Sequence, residues 1–151
     1  MTPGPRREAG YLIAQIHQLS GRILARKLKD HGLDEINPPQ GRILFALWRQ
    51  DGISIQELGE RTKLAKSTLT AMLDRLEANG YVRRSPAKAD RREILVELTA
   101  KDRALRKDYD AVSREMTALF YRGLGEKERD RFEGYLRRIL DNLAAYEAAP
   151  R

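Results

Sequence analysis

Two stretches of this 151-residue chain carry side chains whose types and spacing suit chemistry, and in both the chemistry is recognition of a polyanion. The first runs from Lys66 to Arg75, with cations at its ends and the hydroxyls of Ser67, Thr68 and Thr70 between them. On a helix, Ser67, Thr70, Ala71 and Asp74 fall opposite an apolar arc of Leu69, Met72, Leu73 and Leu76, with Lys66, Thr68 and Arg75 on the flanks. An outer face so small and hydrogen-bonding lets a helix sit deep in a major groove. Lys66, Ser67 and Thr68 also lie in the first turn, where free backbone N–H groups and the helix dipole favour a phosphate. The second stretch is Lys88, Asp90, Arg91 and Arg92, between two β-favouring runs. A guanidinium at the tip of such a ribbon reaches a minor groove whose negative potential attracts it. Asp90, two positions before Arg92, is placed to hold that arginine extended, which gives an acid a reason to sit in a basic loop.

The charge balance agrees. Lys plus Arg number 29 against 22 Asp plus Glu, a net charge of +7 that favours nucleic acid or an acidic membrane surface. Residues 61–92 hold nine cations against Asp74, Glu77 and Asp90, so six of the seven surplus charges sit there. An apolar share of 41% and a charged share of 34% exclude both a disordered polybasic tail and a membrane bundle. Zero cysteines remove disulfides, thiolate metal sites, cysteine nucleophiles and thiol switches together. His17 and His31 are about 21 Å apart along a continuous helix and cannot share one metal. With no Gly-rich phosphate loop and no nucleophile beside a base, neither an enzyme nor a cofactor is expected. No apolar run is long enough for a membrane span or secretory signal, so a cytoplasmic location is expected.

Around these stretches the apolar spacing predicts the elements that position them. Residues 1–7 read as a frayed arm. Leu12, Ile16, Leu19 and Ile23 mark a first helix from about Glu8 to Lys29, stopped by His31-Gly32. Asn37 followed by two prolines opens a second, carrying Ile43, Leu44, Leu47 and Trp48 as far as Asp51-Gly52. Ser54 and Glu57 have capping-box spacing and start a third helix, with Ile55 and Leu58 buried, that runs to about Arg61. The Lys66 helix stops at Asn79-Gly80, after which Tyr81–Ser85 and Ile94–Leu98 form a hairpin around the basic loop. Thr99 and Asp102 are expected to cap a helix with Leu105, Tyr109, Val112, Met116 and Leu119 on one stripe. A last helix sets Phe132, Leu136, Ile139, Leu143 and Tyr146 at heptad-like spacing.

Helix, helix, short capped helix, turn, helix and hairpin is the order of a winged helix-turn-helix. The residues that carry the pattern are 64–77, Gly80-Tyr81-Val82, and 90–99 with Asp90-Arg91-Arg92 and Leu98-Thr99 at its ends. In these the chain resembles the multiple antibiotic resistance regulator (MarR) family of bacterial transcription factors. The resemblance implies an α-rich α+β fold, with a winged-helix DNA-binding core at about 37–98 and dimerisation helices at about 8–31 and 99–147. It also implies a homodimer on a pseudo-palindromic double-stranded DNA operator, usually a repressor released by a small ligand. Lys66 to Arg75 would occupy the major groove and Arg92 the minor groove. Two departures bear on this: Ala65 stands where a helix cap is usual, and Ala71 where a base-reading side chain is frequent.

Three further residues, His17, Arg42 and Trp48, fall near the pocket the family keeps between its first, second and fifth helices. An aromatic or anionic effector would suit them, since its ring needs an apolar wall and its anion a few fixed donors. The aromatic residues Tyr109, Phe120, Phe132, Tyr135 and Tyr146 follow helical stripes and read as core or dimer packing. The alternative to a DNA-binding regulator is a dimeric small-molecule sensor or interaction module on the same fold.

Overall fold

A computed structural model describes residues 4–151 of the chain. Of the expected arm, residues 1–3 lie outside the described residues, and residues 4–7 are irregular and exposed. The helices are α1 (Ala9–Asp30), α2 (Pro38–Arg49), α3 (Ile55–Thr62), α4 (Lys66–Ala78), α5 (Asp102–Phe120) and α6 (Glu126–Ala148). Three strands, β1 (Ile53–Ser54), β2 (Val82–Pro86) and β3 (Ile94–Leu98), form an antiparallel sheet in the order β1-β3-β2. No helix of the described residues is long and apolar enough to cross a membrane.

Local chemistry sets the boundaries. The Asn37 side chain accepts the Gln40 N–H and the Gln40 side chain accepts the Asn37 N–H, both at 2.9 Å, a full capping box that starts α2 over its two prolines. At α3 only half of the expected box forms. Ser54 Oγ accepts the Glu57 N–H at 3.1 Å, but the Glu57 carboxylate turns away to Arg61 at 2.7 Å. Lys63 ends α3 in the left-handed region at φ 57°, which sets the tight turn into α4. Ile55 is half-buried rather than buried, at the first position of α3 directly after β1.

Two expectations are corrected. β1 escapes a reading by alternation because it is two residues long, yet it pairs Ile53 with Val96 and Ser54 with Leu95. Thr99 does not cap α5: its hydroxyl donates to the Gly80 carbonyl, and the Asp102 carboxylate is occupied by the Trp48 indole. The turn before α5 is therefore tied sideways to the end of α4 and to α2.

The chain forms two compact units, one ending at Val112 and one comprising Ser113–Arg151. In the first, Ile43, Leu44, Leu58, Leu73, Leu76 and Val96 form the centre of a core that α2, α3, α4 and the sheet share. The second contains the elbow between α5 and α6. There Arg129 Nε donates to the Leu124 carbonyl at 2.9 Å, and the guanidinium lies over the Tyr121 ring. Tyr109 is core as read, whereas Phe120, Phe132, Tyr135 and Tyr146 are exposed in the single chain, and α6 buries no residue. A helical stripe specifies a packing face without saying that its partner is in the same chain.

Candidate nucleic-acid interface

α4 presents the expected face. Leu69, Met72, Leu73 and Leu76 are buried, while Lys66, Ser67, Thr70, Ala71 and Arg75 are exposed and Thr68 is half-buried. Ala65 provides no side-chain cap, so the first-turn N–H groups beside Lys66 and Ser67 are left for another acceptor. Thr70 Oγ1 donates to the Lys66 carbonyl at 2.9 Å, which commits its proton and leaves its oxygen as an acceptor. Ala71 adds only a methyl group to this face.

The loop between β2 and β3 is closed by the Ala87 N–H on the Glu93 carbonyl at 2.8 Å and the Glu93 N–H on the Asp90 carbonyl at 3.0 Å. Inside it, Asp90 Oδ1 accepts both the Arg92 backbone N–H, at 3.0 Å, and Arg92 Nε, at 3.2 Å. The Arg92 side chain is nonetheless 90% exposed, held at its base and open at its tip. Lys88 and Arg91 are also exposed.

Pairing divides the basic cluster. Arg61 is engaged by Glu57, Arg83 by Glu97, Arg92 by Asp90, and Arg84 by both Asp74, at 2.7 Å, and Glu77, at 3.0 Å. Lys63, Lys66, Arg75, Lys88 and Arg91 make no ion pair among the described residues. Every acid of residues 61–92 is thus neutralised by an arginine of the same segment, and five cations remain for an outside anion. Hydrogen bonds from the Arg84 side chain and backbone hold the Glu77 carboxyl below its ordinary pKa, and those two acids push Arg84 further up.

The three pocket candidates are only partly brought together. Trp48 is half-buried, and its indole N–H donates to both Asp102 oxygens at 3.0 and 2.9 Å. Tyr109 meets it edge-on at 5.1 Å, and the Arg106 guanidinium lies over its ring at 5.6 Å. Exposed Arg42 follows Gly41, which lies against the Tyr109 ring; burial raises the Tyr109 phenol and the charge of Arg42 opposes that. A Cβ at Gly41 would overlap the Tyr109 hydroxyl, so the glycine permits this close approach. Burial also raises the Asp102 carboxyl, against the opposing Trp48 hydrogen bond and Arg106 charge. The imidazole of His17 is exposed on α1 and makes no hydrogen bond, ion pair or ring contact with these groups.

The sequence pattern that defines the MarR family matches residues 36–94. A mutant MarR from Escherichia coli, solved in complex with operator DNA, is 30% identical; the match covers 87% of this chain and 92% of that one at a TM-score of 0.75. The chain belongs to the MarR family. BpsR of Bordetella bronchiseptica, whose DNA binding is described as regulated by 6-hydroxynicotinic acid, matches at 27% identity over 91% of this chain and 99% of that one, TM-score 0.79. The HTH-type transcriptional regulator TtmR of Methylorubrum extorquens is 35% identical over 83% of this chain, which spans 58% of that protein's length. These relatives are transcription regulators rather than enzymes.

Two features of this MarR-family chain escaped the sequence reading. Arg84 contributes more than charge: its place two residues after buried Val82 puts it on the inward side of β2, where an arginine needs acids. Spacing alone makes Asp102 a cap, because nothing local in the sequence couples it to Trp48, 54 residues earlier.

Proposed function

We propose that this chain is a homodimeric, sequence-specific double-stranded DNA-binding repressor that works in the cytoplasm on a pseudo-palindromic operator and is released by a small aromatic or anionic effector. Residues 37–98 bind DNA, and residues 8–31 and 99–147 hold two copies together. Lys66, Ser67, Thr68, Thr70, Ala71 and Arg75 enter the major groove, and Lys88, Arg91 and Arg92, with Asp90 as holder, meet the minor groove and its phosphates. The observation that carries this reading is the state of Arg92: fixed at its base by Asp90, free at its tip, on a wing that follows a helix with a small polar face and unpaired cations. Operator binding by E. coli MarR and ligand control of BpsR support it by kinship.

Fluorescence anisotropy with DNA from the protein's own upstream region tests the reading. Affinity should fall steeply with salt, with a log–log slope of about −0.9 per phosphate contact. Absence of preference over random DNA at moderate salt would refute it.

The second reading, a small-molecule sensor with weak DNA binding, draws on Ala65 and Ala71 and on the aromatic and cationic surroundings of Trp48. Ligand control requires that a compound prefer one dimer geometry, so operator must weaken its binding by the same factor by which it weakens operator binding. Calorimetry with salicylate-like compounds, with and without operator, separates the two readings. Equal affinity in both titrations rules out release by that ligand.

A further inference from the structure

Asp74 poses a problem for a groove-binding helix. It lies in line with Ser67, Thr70 and Ala71, its side chain is 59% exposed, and an acid there repels phosphates. Glu77 lies one helical step behind it. Both are met by Arg84, which comes from β2 rather than α4. Arg84 Nη2 donates to Asp74 Oδ1 at 2.7 Å and to Glu77 Oε1 at 3.0 Å, Nε donates to Glu77 Oε1 at 3.3 Å, and its backbone N–H donates to Glu77 Oε2 at 2.9 Å. The side chain is only 24% exposed, against 90% for Arg92. One residue thus joins the helix and the wing through both its main chain and its side chain.

We infer that Arg84 is a positioning residue for DNA binding, acting through Asp74 and Glu77 without touching DNA itself. It cancels the two acids on the helix and fixes the base of the wing against α4. The register pairs Arg84 with Val96, and two further pairs, Ser85 with Leu95 and Pro86 with Ile94, carry the wing about 7 Å onward to the loop that holds Arg92. A tilt at the clamp is therefore magnified at Arg92. The planar fork is what two carboxylates and a shared strand require, and a lysine, a point charge on a flexible stem, cannot reproduce it.

This inference rests on the DNA-binding reading above, and its test has one arm with DNA and one without. Arg84→Lys keeps the charge and removes the fork. Its operator affinity should fall about tenfold, equivalent to about 1.4 kcal/mol, with the salt slope unchanged because the number of cations is unchanged. The penalty of Arg92→Ala should shrink at least threefold in the Arg84→Lys background, although the two arginines do not touch; a role in stability alone predicts additive penalties. Without DNA, hydrogen exchange at the Arg84 amide and along β2 should quicken in Arg84→Lys while α2 stays protected, which also shows that the variant folds. Wild-type affinity in Arg84→Lys, additive penalties, or unchanged exchange in β2 would each overturn the inference. Because the exchange arm needs no operator, loss of the clamp and failure of the DNA-binding reading give different results.

Discussion

α4 and α6 are built on the same pattern and end in opposite states. Both repeat apolar residues at steps of three and four, yet α4 buries all four of its stripe residues, with Leu73 fully inaccessible, while α6 buries none and leaves Tyr146 86% exposed. α1 behaves like α6 over its first turns, where Tyr11, Leu12, Ile16 and Leu19 are exposed. Periodicity marks a face that must be covered and is silent about which chain covers it. The winged-helix core covers itself, with α2, α3 and the sheet around α4. Exposed apolar stripes on α1 and α6 are the kind of surface that a second copy covers in a symmetric dimer.

Removing α6 is the most damaging change. Deleting residues from Glu126 onward should abolish the proposed dimer and give monomer or aggregate by light scattering, and a truncated protein that remains a well-behaved dimer would place the interface elsewhere. Single substitutions separate the two faces. Leu73→Ala, inside the self-covered core, should cost about 2–5 kcal/mol in urea unfolding. Leu143→Ala, on the exposed α6 stripe, should weaken dimerisation, measured by sedimentation at falling concentration, while a monomeric background loses little stability. Similar unfolding penalties for the two in that background would erase the distinction.

Arg92→Ala is a smaller change and acts on the DNA-binding half alone. Because the side chain is exposed, circular dichroism should be unchanged, while operator binding weakens by about 1–3 kcal/mol. The smallest effect concerns pH. Burial raises the Asp102 carboxyl in the folded chain, so the folded state binds that proton more tightly than the unfolded one. This contribution favours folding at low pH and declines as pH rises through the raised value. Asp102→Asn should remove it, so wild-type stability measured relative to the variant should fall with rising pH across that window and then level off. A difference that rises with pH would contradict the assignment.

Most of the fold was legible because its signals are local. Asn37, Ser54 and Gly80 mark boundaries by their own chemistry, and the buried residues of α4 recur at the helical period. The Asp90–Arg92 contact was legible for the same reason, since two residues within one turn can be judged from their spacing. What was not legible depends on pairings distant along the chain. β1 exists because Val96 and Leu95 lie beside it, Asp102 serves Trp48 rather than α5, and Arg84 reaches back to α4. His17 shows the converse: helical phase and family resemblance placed it among the pocket candidates, and the structure leaves its imidazole without a polar or ring partner among them.

On the proposed reading the wing tip lies in the minor groove beside a helix in the major groove, once on each side of an operator. The chain has no cysteine, so Ala89→Cys gives a single attachment point on the exposed loop and leaves Asp90 and Arg92 in place. An iron–EDTA cleavage reagent tethered there, on protein bound to its upstream DNA, should cut in two clusters placed symmetrically about the operator centre. The cuts should carry the offset toward the 3′ side that marks a minor-groove source. Cleavage in one cluster, an offset toward the 5′ side, or bound DNA left uncut is incompatible with a wing in each minor groove.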